Sequence, residues 1–64
     1  MRKTYKYIYK DLEGKQTILT KSITDRMEAD DNKKKETAAS YFTDMLSRQY
    51  RTFSPVVIRN IQEV

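Results

Sequence analysis

Cysteine and histidine are absent from this chain, and its 64 residues include one glycine and one proline. The sequence therefore lacks a thiol nucleophile, an imidazole base and the commonest metal ligand, which excludes most hydrolase and redox mechanisms. A single glycine also excludes a glycine-rich phosphate loop. We expect a protein that is not an enzyme, has no catalytic residues and uses no metal or cofactor.

Adjacent carboxylates occur once, at Asp30 and Asp31. They precede Lys33, Lys34 and Lys35 in a polar segment, where nothing would raise a carboxyl pKa for acid catalysis. The acidic residues also lack the glycine and the ligand spacing of a calcium loop. We interpret the pair as helix-capping residues.

Long hydrophobic runs are missing too. The longest apolar run covers residues 55–58, far short of the ~20 residues that span a bilayer. No apolar signal-peptide region follows the basic residues Arg2 and Lys3. We expect a soluble, cytoplasmic protein with no membrane partner, and the absence of cysteine fits a reducing compartment.

The size of the chain favours one small domain, residues 1–64. A chain of this length buries roughly 60% of its unfolded surface, so its stability is marginal. Hydrophobic residues make up 38% of the chain and charged residues 34%, and the apolar residues fall in periodic clusters that favour folding. A homodimer or a bound partner is left open as a way to complete the core.

The formal net charge is +4, and its distribution is uneven. Residues 1–10 contain basic residues and no acid, whereas four of the five charged residues in 22–32 are acidic. A positive balance favours acidic partners, including nucleic acids, although it is also typical of an ordinary solvated surface.

A β-hairpin is predicted over residues 4–10 and 16–23. The first run alternates tyrosine with other residues, so that the tyrosines share one face of a strand. Gly14 supplies the positive φ of the turn, and Asp11 lies opposite Lys15. This register places Tyr7 opposite Leu19 and Ile8 opposite Ile18. We expect the core on the face that carries Tyr5, Tyr7, Tyr9 and Leu19.

A polar loop over residues 24–31, with a short helical turn near 25–29, is expected to lead into a helix over residues 32–50. Its predicted apolar stripe is spaced by three and four residues, and Asp44 lies one turn before Arg48. Lysines in the first turn are unfavourable for the helix dipole, so either the helix begins earlier, near Thr24, or the lysines have another role. The stripe comprises Ala38, Tyr41, Phe42, Met45, Leu46 and Gln49.

A third strand is predicted over residues 56–62, after the break at Ser54 and Pro55. Val57, Arg59 and Ile61 would share one of its faces. The predicted fold class is α+β, a small single domain of ββαβ order, with a three-stranded mainly antiparallel sheet covered on one face by one helix.

Three features are candidates for binding. Tyrosines interleaved with lysines over residues 3–10 are typical of single-stranded nucleic-acid binders, or else the tyrosines are core residues. Basic residues at both ends of the helix could form a cationic rim, and an exposed sheet edge could pair with a partner strand. The candidate partner-binding residues are Lys6, Lys10, Lys33, Lys34, Lys35, Arg48, Arg51, Val57, Arg59 and Ile61.

Residues 19–24, Leu-Thr-Lys-Ser-Ile-Thr, and the later Asp30 and Asp31 are similar to the phage antitoxin Dmd. The order of hairpin, polar loop, helix and closing strand also resembles small accessory proteins of tailed bacteriophages, which inhibit a host enzyme, toxin or defence factor. The lysine-rich connection and the break at Ser54 depart from that pattern, so no binding residues are transferred. The resemblance implies stoichiometric inhibition or regulation in a host cytoplasm.

The function expected from the sequence is therefore a small regulatory or inhibitory protein that binds another protein. The alternative is a sequence-tolerant RNA- or DNA-binding protein. That alternative would use the basic residues Lys3, Lys6, Lys10, Lys33, Lys34, Lys35, Arg48 and Arg51.

Overall fold

The computed structural model describes residues 2–64, and their elements follow the order strand, strand, helix, strand. β1 (Lys3–Lys10) and β2 (Gln16–Ile23) form a hairpin, and α1 (Asp31–Gln49) follows it. A 3-10 turn (Ile58–Asn60) precedes β3 (Gln62–Glu63). The sheet is antiparallel with the strand order β2-β1-β3, and α1 packs on one face. The predicted α+β fold class is confirmed.

The hairpin turn is built by Asp11 and Gly14. The Asp11 carboxylate accepts hydrogen bonds from the backbone N–H groups of Glu13 and Lys15, at 2.9 and 2.8 Å. Gly14 has φ +85°, a left-handed conformation that glycine adopts without strain from a side chain. The backbone N–H of Asp11 donates to the Lys15 carbonyl at 3.0 Å, so the predicted register is confirmed.

The tyrosine face of β1 packs against the helix, as predicted. Tyr5 is almost fully buried, and the ring of Tyr7 stacks on Phe42 with centroids 6.2 Å apart. The ring of Tyr9 contacts that of Tyr50, at 5.0 Å. Successive side chains of a strand point to opposite faces, so alternating tyrosines allow one face of β1 to be buried against a helix. The tyrosines are therefore part of the core.

Helix α1 begins at its predicted capping segment. Asp30 is the N-cap residue, and its carboxylate accepts a hydrogen bond from the backbone N–H of Asn32 at 2.9 Å. The helical turn expected before it is present, since the N–H of Glu28 donates to the Thr24 carbonyl. No helix in residues 2–64 is long and apolar enough to cross a membrane.

The buried stripe of α1 is narrower than predicted. Ala38, Phe42 and Leu46 are fully buried at intervals of four residues, and Met45 is half-buried. Tyr41 is 36% exposed at the rim, and Gln49 faces solvent, so Gln49 is wrong as a stripe residue. The core residues are Tyr5, Leu19, Ile23, Ala38, Ala39, Phe42, Leu46 and Ile61.

The prediction of a strand over residues 56–62 is wrong for all but its last residue. The N–H of Val56 donates to the Thr43 hydroxyl on α1 at 3.1 Å. The N–H of Ile61 donates to the Ile58 carbonyl at 3.0 Å, within the 3-10 turn. Strand propensity depends strongly on context, and here helix contacts and a turn replace the strand ladder.

The 3-10 turn also changes where the side chains of this segment point. Ile61 is 3% exposed and belongs to the core, whereas Val57 is 45% exposed and Arg59 faces solvent. The predicted common face of Val57, Arg59 and Ile61 is therefore wrong. The central strand of the sheet is β1, and the third strand lies at an edge.

Candidate protein-binding surface

No helix or strand of residues 2–64 packs on the sheet face turned away from α1, and we call this the open face. Its residues follow from the alternation of side chains along each strand, because two residues that are paired across the sheet point to the same side of it. Thr4 and Ser22 demonstrate the pairing, since their hydroxyls are 2.9 Å apart. The open face comprises Thr4, Lys6, Ile8, Lys10, Gln16, Ile18, Thr20, Ser22 and Gln62.

Two isoleucines form the centre of the open face. Ile8 and Ile18 are direct partners across the hairpin, with exposed fractions of 42% and 61%. Single exposed apolar residues are ordinary on protein surfaces. Together the two side chains form a small contiguous apolar patch in the middle of the sheet, and a docked partner would remove it from water.

Lysines flank this apolar pair on both sides. Lys6 lies opposite Thr20, and Lys10 lies opposite Gln16. None of the open-face residues is acidic. The face therefore combines an apolar centre with positive charge, a combination that attracts acidic and apolar groups together.

The outer edge of β2 borders the open face and is unpaired within residues 2–64. This eight-residue strand contains no proline, and its one-to-one register with β1 contains no bulge. Its one charged residue, Lys21, lies on the helix side, with its ammonium 4.6 Å from the centre of the Tyr41 ring. Apart from Lys21, the usual devices that prevent pairing at a sheet edge are therefore missing from this edge.

Lys34 is not available to a partner, which corrects its assignment as a binding residue. Its side chain is fully buried, and its ammonium donates to the Asp25 carboxylate at 2.7 Å and to that of Asp31. A buried ammonium requires such partners because desolvation opposes its charge. Lys34 therefore ties the first turn of α1 to the loop after β2, the separate role that its unfavourable helix position suggested.

These contacts shift the pKa values of all three groups. The hydrogen bond from Lys34 lowers the pKa of Asp25 to about 2 and lowers the pKa of Asp31. Hydrogen bonds to Asp25 and Asp31 raise the pKa of Lys34. The ion pairs thus hold the three groups in their charged forms across the neutral range.

The other basic candidates are not brought together. Lys33 and Lys35 lie at the start of α1, and Arg48 lies 15 residues beyond Lys33 near its end, a distance of about 22 Å along the helix. The guanidinium of Arg48 pairs with Asp44 at 3.2 Å, as predicted. The basic residues proposed for the cationic rim therefore form two separate groups at the two ends of α1, whereas Lys6 and Lys10 lie on β1.

Arg51 and the C-terminal residues form two smaller surfaces. Arg51 lines a shallow groove beside the hairpin turn, together with Tyr9 and Leu12. Val57 and Ile58 are both exposed, and Ile58 borders a second groove against α1. Glu36 and Asp44 stand at that second groove, so its charge is opposite to that of the open face.

The binding residues predicted from the sequence did not include Ile8 and Ile18, although the predicted register already placed these two residues opposite each other. The signal was present in the strand alternation, since a hairpin with tyrosines in the core must turn Ile8 outward. Comparisons with family models, curated proteins and solved structures find no match to this chain.

Proposed function

We propose that this chain is a non-enzymatic protein that acts by binding another protein, as a regulator or an inhibitor. The observation that carries the proposal is the Ile8–Ile18 pair, which in the described part of the chain lies uncovered beside an unpaired strand edge. Inhibition of a host factor, as implied by the resemblance to phage accessory proteins, would be one form of this function.

The energetics of the open face support association. Covering an isoleucine completely contributes about 1.5–3 kcal/mol, and roughly half of each side chain is still exposed. Docking a partner on both would therefore recover about 1 kcal/mol from each residue. The rest of the binding free energy would come from backbone pairing and the flanking lysines.

The nucleic-acid alternative loses its stacking surface in this fold. Tyr5, Tyr7 and Tyr9 pack against α1 and its C-terminal residues, so their rings are not presented as a platform for bases. Lys3 is engaged with Glu63 at 3.7 Å, and Lys34 is buried. The remaining basic side chains are dispersed, which is unfavourable for tracking a phosphate backbone.

Affinity capture from a lysate of the source cells tests the proposal. The bait proteins are the wild type, Ile18→Glu on the open face, and Leu12→Glu as a matched control at the fully exposed hairpin turn. We expect a specific protein to be retained by the wild type and the control and to be lost with Ile18→Glu. Nuclease treatment should leave the capture intact, since no nucleic acid bridges the two proteins.

Two results would contradict the proposal, one for the function and one for the surface. Loss of every captured protein on nuclease treatment, with a steep decline of binding as salt rises, would favour nucleic-acid binding instead. Equal capture by the wild type and Ile18→Glu would show that the open face is not the binding surface. Circular dichroism of each bait verifies that the substitutions leave the fold unchanged.

A further inference from the structure

We infer that the edge of β2 receives an extended segment of the partner whose side chains follow the pattern acid, any residue, apolar, any residue, acid. This inference rests on the proposed function and adds the mode of binding and the chemistry of the partner. The added segment would become a fourth strand beside β2.

The backbone of β2 presents regularly spaced bonding groups along this edge. The hydrogen bond between Asp11 and Lys15 fixes which ladder pairs are bonded, and bonded pairs alternate in antiparallel strands. Residues Gln16, Ile18, Thr20 and Ser22 therefore direct their N–H and C=O groups outward. The same residues carry their side chains on the open face. A docked strand would therefore pair with their backbone groups and also contact their side chains.

The cross-strand rows of the hairpin determine the side chains that an added strand would need. The row Ile8–Ile18 would be extended by an apolar side chain, which covers the exposed part of Ile18. The neighbouring rows begin at Lys6 and Lys10 and end at Thr20 and Gln16 on β2. An acidic side chain in each of these rows would face a lysine.

The distances permit this charge pairing. An added strand lies about 9.6 Å from β1, which is twice the usual inter-strand spacing of about 4.8 Å. The side chains of a lysine and a glutamate are together long enough to cross that separation above the short Thr20 side chain. No acid belongs to the open face itself, so its lysines have no carboxylate there to compete with the partner.

A second copy of this chain fits the edge less well than a different partner. Antiparallel pairing of two β2 strands would place the uncharged residues Gln16, Ile18, Thr20 and Ser22 against one another. Such a dimer supplies no carboxylate to Lys6 or Lys10. Charge complementarity therefore favours an acidic segment of another protein.

A short, capped peptide with the central sequence Glu-Thr-Val-Thr-Glu tests the inference by titration followed in amide NMR spectra. We expect chemical-shift changes concentrated on residues 16–22. Reversing both charges, with Lys6→Glu and Lys10→Glu, should weaken binding by about tenfold. The matching peptide Lys-Thr-Val-Thr-Lys should then bind the reversed variant and not the wild type.

Backbone pairing is tested separately from charge. Thr20→Pro removes an outward N–H while leaving the bonds between β1 and β2 in place, because proline is tolerated on the free side of an edge strand. It should reduce peptide affinity by at least about tenfold, whereas Thr20→Val should not. N-methylation of the peptide on its β2-facing side should have the same effect without altering the protein.

Several outcomes would overturn the inference. These are the absence of binding, shift changes concentrated away from the hairpin, failure of the charge-reversed peptide to bind the charge-reversed variant, or equal binding of the N-methylated peptide. Dimerisation of the wild type that Thr20→Pro abolishes would assign the edge to a second copy. If peptides fail while Ile18→Glu still eliminates partner capture, strand addition is rejected and the proposed protein-binding function stands.

Discussion

At the residue scale, Lys34 shows how a charged side chain becomes structural. Its position continues the buried stripe of Ala38, Phe42 and Leu46 by one more interval of four residues, which places its stem under the loop. The ammonium then reaches two carboxylates that are themselves about half exposed. Burial of the stem and pairing of the head group both contribute to its role.

We predict that Lys34→Ala lowers the melting temperature, because it leaves a cavity and removes both ion pairs. Lys34→Met should retain most of the stability, since methionine fills a similar volume and both carboxylates remain accessible to water. Lys33→Ala is the matched control at an exposed neighbour, and it should have little effect. Thermal unfolding measures the melting temperatures of the three variants. Equal melting temperatures for Lys34→Ala and Lys33→Ala would contradict the prediction.

The stability of the protein should also fall in acid. Asp25 has a folded pKa of about 2, below the unfolded value of about 3.9, and Asp31 is shifted in the same direction. The unfolded chain therefore binds more protons, and the stabilising contribution disappears as pH falls from about 5 toward 2. Lys34 has a raised pKa, so its contribution is complete below about 10.4 and is lost as pH rises beyond that value.

Urea unfolding between pH 2 and 6 measures the acid effect, and the comparison of wild type with Lys34→Met isolates the ion pairs. The variant should lose less stability in acid, because its carboxylates no longer depend on the ammonium. Identical pH dependence in the two proteins would show that Lys34 does not determine these pKa values.

At the element scale, helix α1 stabilises the fold through the residues that contact the sheet. Phe42→Ala should cost about 3–5 kcal/mol and Leu46→Ala about 2–5 kcal/mol, since both side chains are fully buried. Ser40→Ala, on the exposed side of the same helix, should change stability by less than about 0.5 kcal/mol. Chemical unfolding gives these values, and a loss at Phe42 no larger than that at Ser40 would remove it from the core.

The hairpin and the helix could be predicted from the sequence because their signals are local. Alternating tyrosines, the single glycine and the Asp30 cap each determine the conformation of a few neighbouring residues. The strand over residues 56–62 could not be predicted in this way. Its β-branched residues suit a strand, yet the hydrogen bond from Val56 to Thr43 is a contact with α1 that has no local signature.

At the scale of the whole molecule, charge and apolar surface are divided between two sides. Asp25, Asp31 and Lys34 lie on the helix side, and the open face carries two lysines around Ile8 and Ile18. The sequence predicted the contribution of Lys6 and Lys10 to the candidate site. It did not place Ile18 in that site, because exposure of a sheet face depends on where the helix and the C-terminal segment pack.

The most direct test of the proposed binding surface is amide hydrogen exchange along β2, measured for the free protein and for its complex with the captured partner. In the free protein, the outward amides of Gln16, Ile18, Thr20 and Ser22 should exchange quickly, whereas the alternate amides bonded to β1 should be protected. In the complex, exchange at the outward amides should slow, and exchange at Lys33 and Lys35 should stay unchanged. Unaltered exchange along β2, together with new protection at either end of α1, would contradict binding through the open face and its edge.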